Sequence, residues 1–215
     1  LDYLKQIISF ANHRSLPVHM HVAEQPAEVA ACIEEYGRSP VALLDTEGLL
    51  SERFTAVHAI HVTPKAVGAL ARSRAGVCAC PTTERNLGDG VVPADLYFQS
   101  NVPISLGTDS QIQIDLLEDA RELEYHLRLQ KMERNVLAPE AGNGSLAARL
   151  FECATVNGAK SIGFNGGKLE VGAPADFFTV DLNDPSIAGA SADDLLANIV
   201  FSLSRTAIRD VVVNG

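Results

Sequence analysis

An α/β architecture built on a parallel sheet is the fold class this sequence predicts, and three observations carry it. Four short runs, residues 18–23, 54–60, 76–80 and 103–107, are apolar on both faces, as strands buried in a parallel sheet are. Helical patterns and turns separate them, so that strand, loop and helix recur as consecutive βα units. After each strand stands a polar residue of the kind chemistry uses: His21 and Glu24, His58, the stretch 82–86, and Asp109. Such groups gather where parallel strands end, and a (β/α)8 barrel collects them on one rim; four strands make half of such a barrel.

The elements follow in order. Residues 1–14 have helical periodicity through Leu4, Ile7, Ile8 and Ala11 and begin without a cap, which predicts a natural start further upstream. After the first strand a helix runs over 26–36, with Pro26 in its first turn and Gly37 as its stop, and a short helix follows over 40–45. Thr63 caps a helix over 64–73. Residues 81–90 read as a polar loop, 93–99 as a brief helix, and 114–134 as a long amphipathic helix burying Leu116, Leu117, Ala120, Leu123, Leu127 and Leu129. Ser145 caps a helix reaching to about 156. From Gly166 the texture turns Gly-rich, with strands over 177–180 and 209–213 and a helix over 192–203 between them. So small a strand pair is expected to join sheet supplied from elsewhere.

Composition bounds the function. The 215 residues, 47% of them apolar, suffice for one sizeable core. A net charge of -10, spread along the chain, argues against a nucleic-acid surface. No apolar run approaches the ~18 residues of a membrane helix, and the opening residues lack a signal-peptide layout. The four cysteines sit in apolar segments without disulfide-framework spacing, so reduced thiols and a cytoplasmic address are expected. Cys78 and Cys80 share one strand face, where core packing competes with a metal role.

Alternation places His19 and His21 on one side of the first strand, roughly 6 to 7 Å apart at about 3.3 Å per residue. His19 reads more readily as a satisfied core group than as a ligand. His21, nearest the strand end and three residues before Glu24, reads as a metal ligand. Glu24 is either a helix N-terminal carboxylate favoured by the dipole or a proton shuttle. His58 is assigned to the site and His61 to a supporting or surface position. Asp109 either caps the next helix or holds a metal through one oxygen while the other accepts a proton.

The motifs His21-Val22-Ala23-Glu24, Val57-His58-Ala59-Ile60-His61 and Leu106-Gly107-Thr108-Asp109-Ser110 resemble strands five, six and eight of the amidohydrolase superfamily, in its aminohydrolase branch. Purine and pterin deaminases of that branch more often carry Pro-Thr-Ser-Asn or Pro-Ala-Ser-Asn where this chain has Pro81-Thr82-Thr83-Glu84-Arg85-Asn86-Leu87-Gly88-Asp89-Gly90. That form, with Leu123-Glu124-Tyr125, Arg128-Leu129 and Arg134-Asn135-Val136-Leu137, resembles the formimidoylglutamate deiminase family of histidine breakdown.

The resemblance implies the second half, strands five to eight, of a distorted (β/α)8 barrel over residues 1–163, and part of a small C-terminal β-sandwich over 164–215. It implies one Zn²⁺ held by His21 and Asp109, with Fe²⁺ or another divalent metal as alternatives because His and carboxylate also suit iron, nickel and manganese. Glu24, His58 and Asp109 would be catalytic, and Gln25, Glu84 and Asn86 substrate contacts. The implied reaction is hydrolysis of the formimidoyl C–N bond of N-formimidoyl-L-glutamate to N-formyl-L-glutamate and ammonia. The expected partner is a small-molecule substrate, with no nucleic acid and no membrane, and a homodimer is left open. The superfamily's first-strand His-x-His has no counterpart here, so the chain is expected to begin in the helix before strand five and to bind zinc weakly on its own. Two alternatives stand beside this reading: a deaminase of a purine or other cyclic amidine, and a non-catalytic half-barrel fragment.

Overall fold

A computed structural model describes residues 1–140 and 144–215. The first part runs α1 (Asp2–His13), β1 (Val18–Val22), α2 (Pro26–Tyr36), α3 (Pro40–Thr46), β2 (Phe54–His58), α4 (Pro64–Ser73) and β3 (Gly76–Ala79). It continues through α5 (Pro81–Leu87), α6 (Ala94–Gln99), β4 (Ile104–Leu106) and α7 (Leu116–Lys131). Then come α8 (Leu146–Ala154), α9 (Val156–Ser161), β5 (Phe177–Val180), α10 (Leu195–Phe201) and β6 (Ile208–Val212).

β1 to β4 form one parallel sheet in the order β1-β2-β3-β4. Its register sets His21 opposite Val57, Val57 opposite Cys78, and Cys78 opposite Ser105, so the carboxyl ends of all four strands reach one edge. The main core lies on one face of the sheet, where Ala56, Val77 and Ile104 meet Leu44 of α3, Leu70 of α4, Tyr97 of α6, Leu123 and Leu127 of α7, and Leu150 of α8. The other face carries a small cluster of Val57, Cys78 and Cys80. The four cysteines are free thiols. β5 and β6 pair antiparallel with one another through Phe177 and Val212 and through Val180 and Ile208. Beside them Ile187, Leu203 and Ala207 form a separate cluster, against which Leu117 of α7 packs.

The punctuation works by local chemistry. Pro26 opens α2 and Gly37, at φ 67°, closes it in the left-handed region that costs glycine little. The Thr63 hydroxyl accepts from the Ala66 N–H at 3.2 Å, Ser145 from Ala148 at 3.1 Å, and the Asp115 carboxylate from Leu117 at 3.0 Å.

Several expectations need correction. β1 is not buried on both faces: as an edge strand it leaves the His19 and His21 side exposed. Residues 81–87 are the helix α5 rather than loop, and Pro81 at its first turn and Gly88 at φ 74° beyond its end are the signals that mark it. On α7, Leu116 and Leu129 are exposed, whereas Asp119 and Glu124 are buried beside Ala120, Leu123 and Leu127. The helix after Ser145 stops at Ala154, and α9 follows as a separate turn and a half.

Candidate active site

At the carboxyl edge of the sheet three strand ends deliver four side chains to one place. His21 is the fourth residue of β1, and Glu24 stands two residues past its end. His58 is the last residue of β2, and Asp109 stands three residues past β4. His21 Nε2 lies 3.3 Å from Asp109 Oδ1. The His21 and His58 ring centres are 5.1 Å apart, and His58 Nε2 lies 3.5 Å from Glu24 Oε1.

His58 reaches the group through its backbone. It registers opposite Val22, whose side chain lies in the main core, and strict alternation along β2 would send the imidazole there too. A φ of 67° breaks the alternation and turns the ring toward His21. Ala23, Ala59 and Asp109 also have positive φ, so unusual backbone is concentrated at this rim.

Behind His58 lies Glu84 of α5, 1% exposed, whose Oε1 lies 3.1 Å from His58 Nδ1 and accepts from the Cys80 N–H at 2.8 Å. Thr83, also buried, donates its hydroxyl to the Thr108 carbonyl at 2.8 Å and accepts from the Ser110 N–H at 3.1 Å. Thr82 donates its N–H and its hydroxyl to Asp119 Oδ1 at 3.1 and 2.9 Å.

The expected substrate contacts divide. Gln25 is exposed near Glu24, and its amide donates to Asp89 Oδ1 at 2.8 Å. Glu84, expected as a substrate contact, is 1% exposed and lies behind His58. Asn86 is exposed on α5 and stands outside the hydrogen-bonded group. His61 Nε2 is 2.8 Å from the Asp89 carbonyl, and His19 Nε2 is 2.8 Å from the Ser161 carbonyl, so neither joins the four.

The electrostatics favour proton handling. Burial raises the Glu24 carboxyl above its ordinary value; His58 works against the rise and Asp89 adds to it. Burial is also the largest influence on His58 and disfavours the charged ring. The hydrogen bond and charge of Glu84, with Glu24 and Asp109, outweigh it and hold the imidazole above its usual range.

The donor set suits a divalent cation. His21, His58 and Asp109 each offer an atom, all within 4.8 Å of one another. His58 Nε2 is fully buried without a hydrogen-bond partner among the described residues, a costly state for a polar atom unless something else satisfies it. Two imidazoles and a carboxylate match Zn²⁺ and several other divalent ions. A second trio, His58, Cys80 and Glu84, is equally close. There the carboxylate already accepts from the Cys80 N–H, and Cys80 packs with Val57 and Cys78 in the small apolar cluster on that face.

A parallel sheet with titratable groups converging at its carboxyl edge is an arrangement that metal-dependent hydrolases share with many other α/β enzymes. The family model described as Amidohydrolase family matches residues 1–215, and the chain belongs to that family. It is 38% identical over 205 residues to formimidoylglutamate deiminase of Pseudomonas aeruginosa, covering 95% of this chain and 45% of that protein. The crystal structure of an amidohydrolase from Brucella melitensis superposes with a TM-score of 0.81 at 35% identity, covering 93% of this chain and 44% of that one. An adenosine deaminase from Xanthomonas campestris, solved with bound zinc, gives a TM-score of 0.89 at 27% identity, covering 99% of this chain and 47% of that one. The chain spans about half the length of the curated relatives it matches. Among the described residues no helix is long and apolar enough to cross a membrane.

Proposed function

We propose that the chain forms strands five to eight of an amidohydrolase barrel over residues 1–163, with part of a β-sandwich over 164–215. In this reading it supplies His21, Glu24, His58 and Asp109 to a site that hydrolyses the formimidoyl C–N bond of N-formimidoyl-L-glutamate. The observation that carries the reading is the convergence of these four side chains from three strand ends. The 38% identity to a formimidoylglutamate deiminase supports the linear amidine as substrate, whereas the likeness to an adenosine deaminase supports a cyclic one.

His21 and Asp109 would hold the divalent ion, with His58 Nε2 facing it. When bound, such an ion supplies Lewis acidity that makes a nucleophile available near neutral pH. An amidine carbon is a weak electrophile and an amide anion cannot depart, so the site must also take up one proton and deliver another. His58 Nε2 and the second carboxylate oxygen of Asp109 would take the proton that the attacking water loses. Glu24, its carboxyl raised by burial, carries the proton that the departing nitrogen requires. Water adds to the formimidoyl carbon, the C–N bond to the terminal nitrogen breaks, and N-formyl-L-glutamate and ammonia result.

Ammonia release is the test, measured with the chain alone and mixed with the amino-terminal half of the Pseudomonas aeruginosa relative. N-formimidoyl-L-glutamate should release ammonia and adenosine should not, and Glu24→Gln should slow release by at least about a hundredfold. Release from adenosine alone, or an unaffected Glu24→Gln variant, would overturn the reading.

A further inference from the structure

We propose that Thr83 and Glu84 are positioning residues, so that one buried helical turn aligns both the imidazole of His58 and the carboxylate of Asp109. The inference rests on the site reading above for its functional meaning, but its structural content stands on α5 alone.

Three consecutive polar residues, Thr82, Thr83 and Glu84, are buried at 0%, 0% and 1% exposure in the first turn of α5. Packing alone would be served there by aliphatic side chains, and burying polar groups is unfavourable unless each is hydrogen-bonded. Each has a different partner. Thr82 ties the turn to Asp119 of α7. Thr83 bonds on both sides of Asp109, to the Thr108 carbonyl and to the Ser110 N–H and hydroxyl. Glu84 bonds to the ring of His58. Both residues so held, His58 at φ 67° and Asp109 at φ 54°, adopt a backbone that non-glycine residues rarely take, as Ala23 and Ala59 beside them also do. A conformation of that kind persists where its surroundings over-determine it, and the Thr83 and Glu84 bonds do so here.

The Glu84 bond also selects a tautomer. Glu84 Oε1 already accepts from the Cys80 N–H, so the neutral His58 ring meets it with a proton on Nδ1 and turns an Nε2 lone pair toward Glu24 and His21. With the proton on Nε2 instead, the ring would offer no acceptor to the rim.

The test uses the 215-residue chain without metal, its imidazoles labelled with nitrogen-15, at a pH where His58 is neutral. Long-range proton–nitrogen correlation should find the His58 proton on Nδ1. Glu84→Met, of similar volume and without an acceptor, should move it to Nε2, and Glu84→Gln, which keeps an oxygen there, should restore Nδ1. Thr83→Val should speed exchange of the Ser110 amide by about tenfold, and Thr83→Ser should leave it near wild type. An unchanged tautomer in Glu84→Met, or unchanged Ser110 exchange in Thr83→Val, overturns the proposal. Should Glu84→Met fail to fold, the wild-type chain decides, since a proton on Nε2 there overturns it equally. Zinc titration of His21→Ala separates the two readings: if that variant binds zinc like wild type, the site assignment fails while the tautomer and exchange results still judge the positioning roles.

Discussion

Asp119 shows how a single buried carboxylate links the scaffold to pH. Burial, partly offset by the two hydrogen bonds from Thr82, raises its pKa from 3.8 to about 6, and its Oδ2 has no partner among the described residues. The folded chain therefore binds this proton more tightly than the unfolded one. Its contribution to stability is complete below pH 3.8 and is lost as pH rises through about 6. Relative to Asp119→Asn, wild type should lose on the order of 2 to 3 kcal/mol between pH 4 and 7, read by urea denaturation at each pH. A pH-independent difference between the two would show that Asp119 titrates as it does in the unfolded chain. The residue scale is also where sequence reading reached its limit. A histidine at a strand end and an acid after a Gly-Thr turn are visible as letters, so His58 and Asp109 were legible as candidates. The positive φ that turns the His58 ring out of its alternating direction, and the Glu84 partner that meets the ring from 26 residues further on, are tertiary features that periodicity does not encode.

Among the elements, α5 and α7 depart furthest from expectation, and for related reasons. Hydrophobic periodicity finds helices by their apolar stripe, but the buried turn of α5 is Thr-Thr-Glu, which leaves no stripe to find. Leu129 is apolar yet exposed, because it lies off the face of α7 defined by Ala120, Leu123 and Leu127. Glu124 does lie on that face, and a carboxylate in an apolar stripe is a signal that could have been read. It accepts from Arg128 Nε at 2.6 Å and from the N–H groups of Val136 and Leu137 at 3.0 and 2.9 Å, fastening the chain beyond α7 to the helix. Glu124→Ala leaves two amides and a guanidinium without their acceptor. It should destabilise the chain by about 3 kcal/mol or more in a denaturant titration. A loss below about 1 kcal/mol would mean that water replaces the carboxylate and that the segment is not held by it. By contrast the capped helices and the four parallel strands were readable because their start and stop chemistry is local: Pro26 and Gly37, Thr63, Ser145.

At the scale of the whole molecule, the register of the parallel sheet is what turns separate motifs into one site. Each strand's chemistry-bearing residue is local in sequence, yet the distances among His21, His58 and Asp109 exist only because β1, β2, β3 and β4 stack in order with their carboxyl ends aligned. Among the described residues β1 is the first strand of the sheet order, and the His21 side chain on it is 61% accessible. In the proposed site these groups hold a single cation. Calorimetric titration of the chain with Zn²⁺ tests it most directly, with His21→Ala and Asp109→Ala measured alongside. Saturable binding by wild type, weakened more than about tenfold by either substitution, is the predicted result. Binding that is the same in all three proteins, or absent from wild type, would contradict the account.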